Sequence, residues 1–295
     1  MIARLQRLFV FGWLLAAVAW VVLWWERSPG LAVAGVCALA LGHAAVLAAE
    51  CIIGYGVNAH DTVPRALPRQ WLRAWVAECL VAPRVFCWQQ PFRAQAVPDQ
   101  LPPADGRRGA VLVHGIVCNR GFWNPWLRAL RADGRAFVAV DLEPLFCSID
   151  DYVARIDAAI EAVAAATGWP PVLICHSMGG LAARAWLRTA DGARVHRIVT
   201  IGTPHAGAWL ARFGRSVNGR QMRVGSEWLS RIEPEQDSAR QVPFTCWYSD
   251  CDNIVFPAST AMLPGADNRL CRGRAHVEMA FDAALRRDTL ALLEG

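Results

Sequence analysis

One serine lies in a context that could activate it as a nucleophile. The segment Pro171–Gly180 reads PVLICHSMGG, in which an apolar run leads into Ser177 and a helical pattern begins at Met178. A serine on a sharp turn between a buried strand and a helix is typical of a nucleophile elbow, which needs small residues two positions before and two positions after it. Gly179 meets the second requirement, and Cys175 stands where glycine is usual in the first. The alternative is a serine that caps a helix.

A second motif could stabilise negative charge beside that serine. His114 and Gly115 directly follow the apolar run Gly109–Val113. A backbone N–H just after such a strand can point at an oxyanion together with the N–H that follows the nucleophile. We therefore expect the N–H groups of Ile116 and Met178 to form an oxyanion hole.

A histidine elsewhere competes for the role of general base. The segment Ile201–Gly207 reads IGTPHAG and predicts only a tight turn beside the same sheet edge. His205 in this turn is therefore a candidate for the proton acceptor.

The elements that must position these residues alternate between strand and helix. Short apolar runs predict strands at Gly109–Val113, Ala136–Val140, Val172–Cys175, Arg197–Ile201 and Phe244–Tyr248. A helix is expected over Ile149–Thr167, with Asp150 as its N-cap and Gly168 just past its end. This alternation predicts an α/β fold with a doubly wound, mostly parallel sheet, whose chemistry lies at the carboxyl ends of the strands.

Taken together, these motifs resemble a known family. The chain looks like bacterial triacylglycerol lipases and related α/β-hydrolase esterases. The motifs that carry this resemblance are the HG pair, the CHSMGG elbow, the GTPHAG turn, a later D-x-I-V and a late histidine. The resemblance covers roughly Gly109 to Leu293. It implies an α/β-hydrolase fold and cleavage of carboxylic esters by a Ser-His-Asp triad.

The resemblance also assigns the two partners of Ser177. In the family the acid lies in a segment like Tyr248–Pro257 (YSDCDNIVFP), which implies Asp252, with Asp250 as the fallback. The family histidine precedes the final helix, which implies His276, although Ala275 replaces the usual glycine before it. His276 is preferred over His205 because the chain order Ser, Asp, His is that of this fold.

Two long apolar runs precede this domain. Leu8–Trp25 and Leu31–Ala49 carry no charged residue, and each is long enough to cross a bilayer. Only the turn Glu26–Gly30 separates them, so residues 1–55 predict a transmembrane hairpin with both ends on one side. The alternatives are buried core helices or a cleaved signal peptide ending near Ala17-Val18-Ala19. His43 and Glu50 could mark a functional site, but we favour helix pairing, or for Glu50 a position at the interface.

The arginines around the hairpin predict its orientation. Arg4 and Arg7 precede it, four arginines follow it, and the turn holds only Arg27. By the positive-inside rule both ends face the cytoplasm. We therefore expect a two-span protein of the bacterial inner membrane with a cytoplasmic catalytic domain.

Residues 56–108 are expected to connect the hairpin to the domain. WLRAWVAECL from Trp71 has helical apolar spacing, typical of a helix in the headgroup plane or packed on the domain. A linker is predicted by four prolines, Pro91, Pro98, Pro102 and Pro103.

Within the catalytic domain, residues 109–295, the insertion at about 205–243 is interpreted as a lid, or alternatively as a helical excursion packed on the sheet. Phe122, Trp123 and Trp126 either line an acyl pocket or pack their helix.

The sequence thus predicts a membrane-anchored serine esterase or lipase that acts on acyl-ester lipids. An acyltransferase or thioesterase would use the same triad, and a non-catalytic binding module would keep only the fold.

The 30 basic residues are all arginine and are scattered, which argues against nucleic-acid binding. The ten dispersed cysteines are expected to be free, and their spacing resembles no zinc site. We expect no cofactor, no metal and no obligatory protein partner.

Overall fold

A six-stranded parallel sheet forms the centre of the catalytic domain. The computed structural model describes residues 1–232 and 242–294. The strands are β1 (Ala110–Val113), β2 (Phe137–Val140), β3 (Val172–His176), β4 (Arg197–Ile201), β5 (Phe244–Tyr248) and β6 (Asp267–Leu270). Their order across the sheet is β2-β1-β3-β4-β5-β6, and each neighbouring pair is parallel. The predicted α/β architecture is confirmed.

Helices precede, connect and follow these strands. The helices that precede the sheet are α1 (Ile2–Trp24), α2 (Pro29–Val57), α3 (Pro68–Pro83) and α4 (Gln90–Arg93), with a π-helical stretch at Arg84–Gln89 before α4. The others are α5 (Asn124–Ala132), α6 (Val153–Thr167), α7 (Met178–Leu187), α8 (Val217–Gln221), α9 (Glu227–Arg231), α10 (His276–Phe281) and α11 (Ala283–Ala291).

Each face of the sheet carries its own hydrophobic core, as expected of a doubly wound fold. Side chains alternate across a strand, so Val111 and Val113 of β1 belong to one core while Ala110 and Leu112 belong to the other. Helices α6 and α7 cover the first face, and α5, α10 and α11 cover the second. Both cores anchor the loops at the carboxyl ends of the strands.

Two local predictions need correction. Strand β6 was not expected, because its sequence DNRL is polar and partly exposed at the sheet edge and therefore lacks an apolar run. The helix after β2 begins with a 3-10 turn at Ile149, and its cap is Ser148 rather than Asp150. Ser148 forms a capping box with Asp151, which satisfies backbone N–H groups that Asp150 does not reach.

The two apolar helices α1 and α2 pack against each other and leave most of their surface uncovered. In their most apolar windows only 0% and 6% of residues are buried, whereas the core helix of a soluble protein is mostly buried. Both are long and apolar enough to cross a membrane. A signal sequence would pass the same test.

Helix α3 has two different apolar faces. Trp71, Ala74 and Glu78 are buried against the domain, while Leu72 and Leu80 on the other side are 60% and 72% exposed. Packing on the domain and an apolar outer surface therefore occur in the same helix. The helical region continues to Arg93, so Pro91 lies in the first turn of α4 rather than in the linker.

The described part of the insertion at about 205–243 packs partly into the core. Met222, Trp228, Leu229 and Ile232 are buried on the α6–α7 face of the sheet. Residues 233–241 of the insertion lie outside the described residues, so the lid stays a prediction. Phe122, Trp123 and Trp126 are fully buried, which supports helix packing.

Candidate active site

Ser177 lies on a strained turn between β3 and α7. Its backbone has φ 53° and ψ −128°, a region that residues other than glycine rarely adopt. The turn is held by its N–H, which donates to Ile201 O at 2.9 Å, and by Thr203 Oγ1, which donates to Ser177 O at 2.8 Å. A Cβ on Gly179 would lie 2.7 Å from His114 O, so only glycine fits there. This geometry is that of a nucleophile elbow.

Cys175 occupies the other small position of the elbow without disturbing it. It is fully buried and packs in the α6–α7 core. Burial raises the pKa of its thiol, which keeps the sulfur neutral and unreactive. Its role is therefore to fill space in a strand where glycine is usual.

Asp252 and His276 form a buried pair beside this turn. His276 Nδ1 lies 2.9 Å from Asp252 Oδ2, and the other carboxylate oxygen accepts the N–H groups of Ile254 and Val255, each at 2.8 Å. A Cβ on Gly202 would lie 3.1 Å from both Asp252 Oδ2 and His276 Nδ1. Gly202 follows Ile201, whose carbonyl accepts the N–H of Ser177, so the buried pair lies beside the turn that carries Ser177.

The charges around His276 favour its protonated form. Burial alone lowers its pKa, but the charge and hydrogen bond of Asp252, with smaller contributions from Glu78 and Glu50, raise it above the ordinary value. A histidine tuned in this way is a stronger proton acceptor. The arrangement suits a general base whose cation must be stabilised.

The backbone around Gly115 lies against the turn of Ser177. A Cβ on Gly115 would lie 2.8 Å from Ser177 Cβ, so this approach requires glycine. His114 holds the loop, because its Nε2 accepts the N–H of Leu142 at 3.1 Å. Within the described residues no group accepts the N–H of Ile116 or Met178. The oxyanion hole that these two N–H groups would form stays a prediction.

The two fallback residues have other partners. His205 Nε2 lies 3.0 Å from Thr200 Oγ1, and complete burial holds the pKa of the imidazole well below its ordinary value. Asp250 Oδ1 accepts the N–H of Gly273 at 2.6 Å. Within the described residues neither forms a hydrogen bond with Asp252 or His276, so the structure pairs His276 with Asp252 and with neither fallback residue.

Several residues around the site were not predicted from the sequence. Asn253 Oδ1 accepts the N–H of His276 at 3.0 Å, and Glu78 accepts the next two N–H groups of α10. The rings of Phe122 and His176 lie 4.5 Å apart, and those of His176 and His276 lie 4.7 Å apart. No pattern near Glu78 indicated this contact, since it lies some 200 positions from its partners. Within the described residues no cluster of His, Cys, Asp or Glu could hold a metal ion.

Comparison with solved structures finds the same fold in several lipases. The mature form of lipase BlEst2 from Bacillus licheniformis superposes with a TM-score of 0.57 at 18% identity, covering 65% of this chain and 94% of that one. Lipase B of Aspergillus fumigatus gives 0.56 at 18% identity, covering 65% and 53%. Monoacylglycerol lipase of Paleococcus ferrophilus gives 0.50 at 18% identity, covering 65% and 95%. These likenesses establish the fold.

The sequence itself matches a family model over most of the catalytic domain. No protein with a curated function matches the chain. The model of the alpha/beta hydrolase family matches residues 110–291, which is more than half of the chain and leaves helices α1–α4 outside. On this match, and with the elbow and sheet described above, the chain belongs to the alpha/beta hydrolase family.

Proposed function

We propose that this protein is a membrane-anchored serine hydrolase that cleaves carboxylic esters of acyl lipids through an acyl-enzyme. The observation that carries the proposal is the strained turn of Ser177 beside the buried pair of Asp252 and His276, which are 2.9 Å apart. The ring of His176, the residue before Ser177, lies 4.7 Å from the ring of His276, so the turn of Ser177 is close to this pair, as the Ser-His-Asp mechanism requires.

In the proposed reaction Ser177 Oγ attacks the ester carbonyl while His276 Nε2 takes the hydroxyl proton. Asp252 keeps the imidazole in the correct tautomer and stabilises its cation. The N–H groups of Ile116 and Met178 bind the tetrahedral oxyanion, each contributing roughly 3 kcal/mol to the transition state. His276 then donates its proton to the departing alcohol, and water hydrolyses the acyl-enzyme by the reverse sequence of proton transfers.

The position of the apolar hairpin supports a lipid as the substrate. Three loops at the carboxyl ends of strands contact it: Ile2 N–H donates to Glu143, Gln6 Nε2 donates to Val117 O at 3.3 Å, and Asn253 Nδ2 donates to Glu50 at 2.7 Å. The same edge carries Ser177, Asp252 and His276. A lipid that leaves the bilayer beside the hairpin would therefore travel only a short distance to the nucleophile.

The outer face of α3 adds to this apolar surface. Leu72, Val76 and Leu80 are exposed on α3, and Trp88 and Phe92 follow them in the next turns. An aromatic and aliphatic surface at the base of a membrane hairpin is typical of residues in the interfacial layer. We place the domain against the cytoplasmic face of the bacterial inner membrane, following the distribution of arginines around the hairpin.

Two other functions would use the same residues. An acyltransferase or thioesterase differs only in the acceptor or leaving group, and a binding module would have the fold without an activated serine. The fold is shared with lipases, and the ester class is proposed from them.

The test is labelling of the full-length protein, solubilised in detergent, with a fluorophosphonate probe. We expect an adduct on Ser177, located by mass spectrometry, which is absent in Ser177→Ala. Release of free fatty acid from an ester lipid in mixed micelles then separates hydrolysis from transfer to another acceptor. A folded wild-type protein that takes no label would contradict the proposal and favour the binding module.

A further inference from the structure

A carboxylate from outside the family domain supports the segment that carries His276. Glu78 of α3 is only 1% exposed, and its two oxygens accept the N–H groups of Val277 at 3.0 Å and Glu278 at 2.9 Å. These are the two residues that follow His276 in α10. Because both oxygens bind the same short segment, Glu78 fixes its position and its rotation.

A second connection reaches the backbone of His276 itself. The N–H of His276 donates to Asn253 Oδ1 at 3.0 Å, and Asn253 Nδ2 donates to Glu50 Oε2 of α2 at 2.7 Å. The N–H groups of residues 276, 277 and 278 are thus all bound by groups that belong to, or are held by, α2 and α3. Arg73 of α3 adds a hydrogen bond to Gly273 O at 2.8 Å and an ion pair with Glu278.

The burial of Glu78 has an energetic cost. Desolvation raises the pKa of Glu78 to about 7, although the two N–H donors and the nearby His276 oppose this effect. Burying a carboxylate is unfavourable unless its hydrogen bonds and charge partners compensate. Here the compensating groups are the N–H groups of Val277 and Glu278 and the nearby imidazole of His276.

We propose that Glu78 is a positioning residue for His276, holding the general base in place and stabilising its protonated form from a helix that the family domain does not include. The inference rests on the proposed function, since it requires His276 to act as the base for Ser177. Helix α2 would then belong to the active site as well as to the membrane anchor, and α3 would belong to the active site.

The charged groups around His276 decide the direction of the expected effect. Asp252 faces it from the loop after β5, Glu78 from α3, and Glu50 from α2, while His176 on β3 is kept neutral by burial. Removing the charge of Glu78 leaves His276 easier to deprotonate. The pH below which His276 is protonated and Ser177 loses reactivity therefore falls.

The experiment compares the rate of fluorophosphonate labelling across pH in three full-length proteins in detergent: wild type, Glu78→Gln and Glu78→Asp. Glu78→Gln keeps the shape but loses the charge and one acceptor. We expect labelling to slow about 10- to 100-fold because the base is misplaced. We also expect the acid limb of the pH profile, where the labelling rate falls as His276 becomes protonated, to shift to lower pH. Glu78→Asp keeps the charge, so its acid limb should stay with the wild type even if labelling slows.

A matched control is Asp157→Asn. Asp157 on α6 accepts the indole N–H of Trp186 at 2.8 Å and pairs with Arg194, and within the described residues it forms no hydrogen bond with Ser177, Asp252 or His276. Its labelling rate and acid limb should equal those of the wild type. If Glu78→Gln labels at the wild-type rate, or more slowly with an unshifted acid limb, Glu78 has no such role and the inference is wrong. If the wild type itself takes no label, the proposed function fails and this inference fails with it.

Thermal unfolding at several pH values provides a second measurement, independent of any substrate. Because the pKa of Glu78 is raised in the folded protein, to about 7 from an ordinary 4.5, its contribution to stability is present below pH 4.5 and is lost as the pH rises through 7. The melting temperature of Glu78→Gln, relative to that of the wild type, should therefore rise as the pH increases from 5 to 8. A constant difference across this range would contradict the buried, ionising carboxylate on which the inference depends.

Discussion

His276 receives contacts from two separate segments of the chain, the loop after β5 and the end of β3, and each contact has a distinct physical effect. Asp252 binds Nδ1 at 2.9 Å and fixes the tautomer, while Asn253 binds the backbone N–H. The ring of His176 lies beside the imidazole and is neutral because burial lowers its pKa. A second cation at that position would oppose protonation of His276, so the neutrality of His176 favours the base.

The assignment of the acid can be tested at the level of single residues. Asp252→Asn should lower the rate constant of ester hydrolysis about 10³- to 10⁴-fold, because the amide no longer stabilises the imidazolium or the correct tautomer. The measurement is hydrolysis of a chromogenic ester by the detergent-solubilised protein.

The control for this prediction is the neighbouring fallback residue. Asp250→Asn keeps an oxygen that can accept the N–H of Gly273, so most of the activity should remain. Equal losses in the two variants would contradict the assignment of Asp252.

Among the elements, the insertion after β4 combines a structural part with a part that lies outside the described residues. Helix α9 contributes Trp228 and Leu229 to the core, and Trp228 Nε1 donates to Asp150 at 2.8 Å. In contrast, Phe213 in the preceding 3-10 turn is 67% exposed. A lid in this region would have to move independently of the buried anchor formed by α9.

This division predicts different effects on stability. Trp228→Ala should lower the free energy of unfolding by about 3–5 kcal/mol, because it leaves a cavity in the core. Phe213→Ala should change it by less than about 0.5 kcal/mol, as expected of an exposed site. Chemical denaturation followed by tryptophan fluorescence measures both values. A small effect of Trp228→Ala would indicate that α9 is a mobile lid after all.

For the whole molecule, the important feature is that one edge of the sheet serves two purposes. The carboxyl ends of the strands carry the candidate nucleophile, and the loops at that edge also bind the apolar helices through Val117, Glu143 and Asn253. Gln6 of α1 also lies 3.2 Å from Gln90 of α4, which in turn accepts the N–H of Asn119 in the loop that carries Ile116. The apolar helices and the candidate site are therefore connected at several points.

The proposed orientation predicts the result of protease protection. In right-side-out inner-membrane vesicles the catalytic domain should resist added protease, because it faces the vesicle interior. In inverted vesicles it should be digested. Digestion in the right-side-out preparation would show that the hairpin has the opposite orientation, and solubilisation by alkaline carbonate would contradict membrane insertion.

Local patterns in the sequence were sufficient for the main elements and for the motifs. Buried parallel strands are short apolar runs, so β1 to β5 were predictable, whereas the polar edge strand β6 gave no such signal. The turns at Ser177 and Gly115 were recognisable because close backbone approaches demand small residues at fixed spacing. The length and composition of α1 and α2 likewise indicated the hairpin.

Only the tertiary structure decided which distant groups meet. The choice of Asp252 over Asp250 rested on resemblance in the sequence, and in the structure it rests on a 2.9 Å contact with His276. The partnership of Glu78 with Val277 and Glu278 spans about 200 residues, and no local pattern encodes such a pairing. Periodicity and turn chemistry act between near neighbours in the chain, whereas the environment of a buried charge depends on how separate helices pack around it.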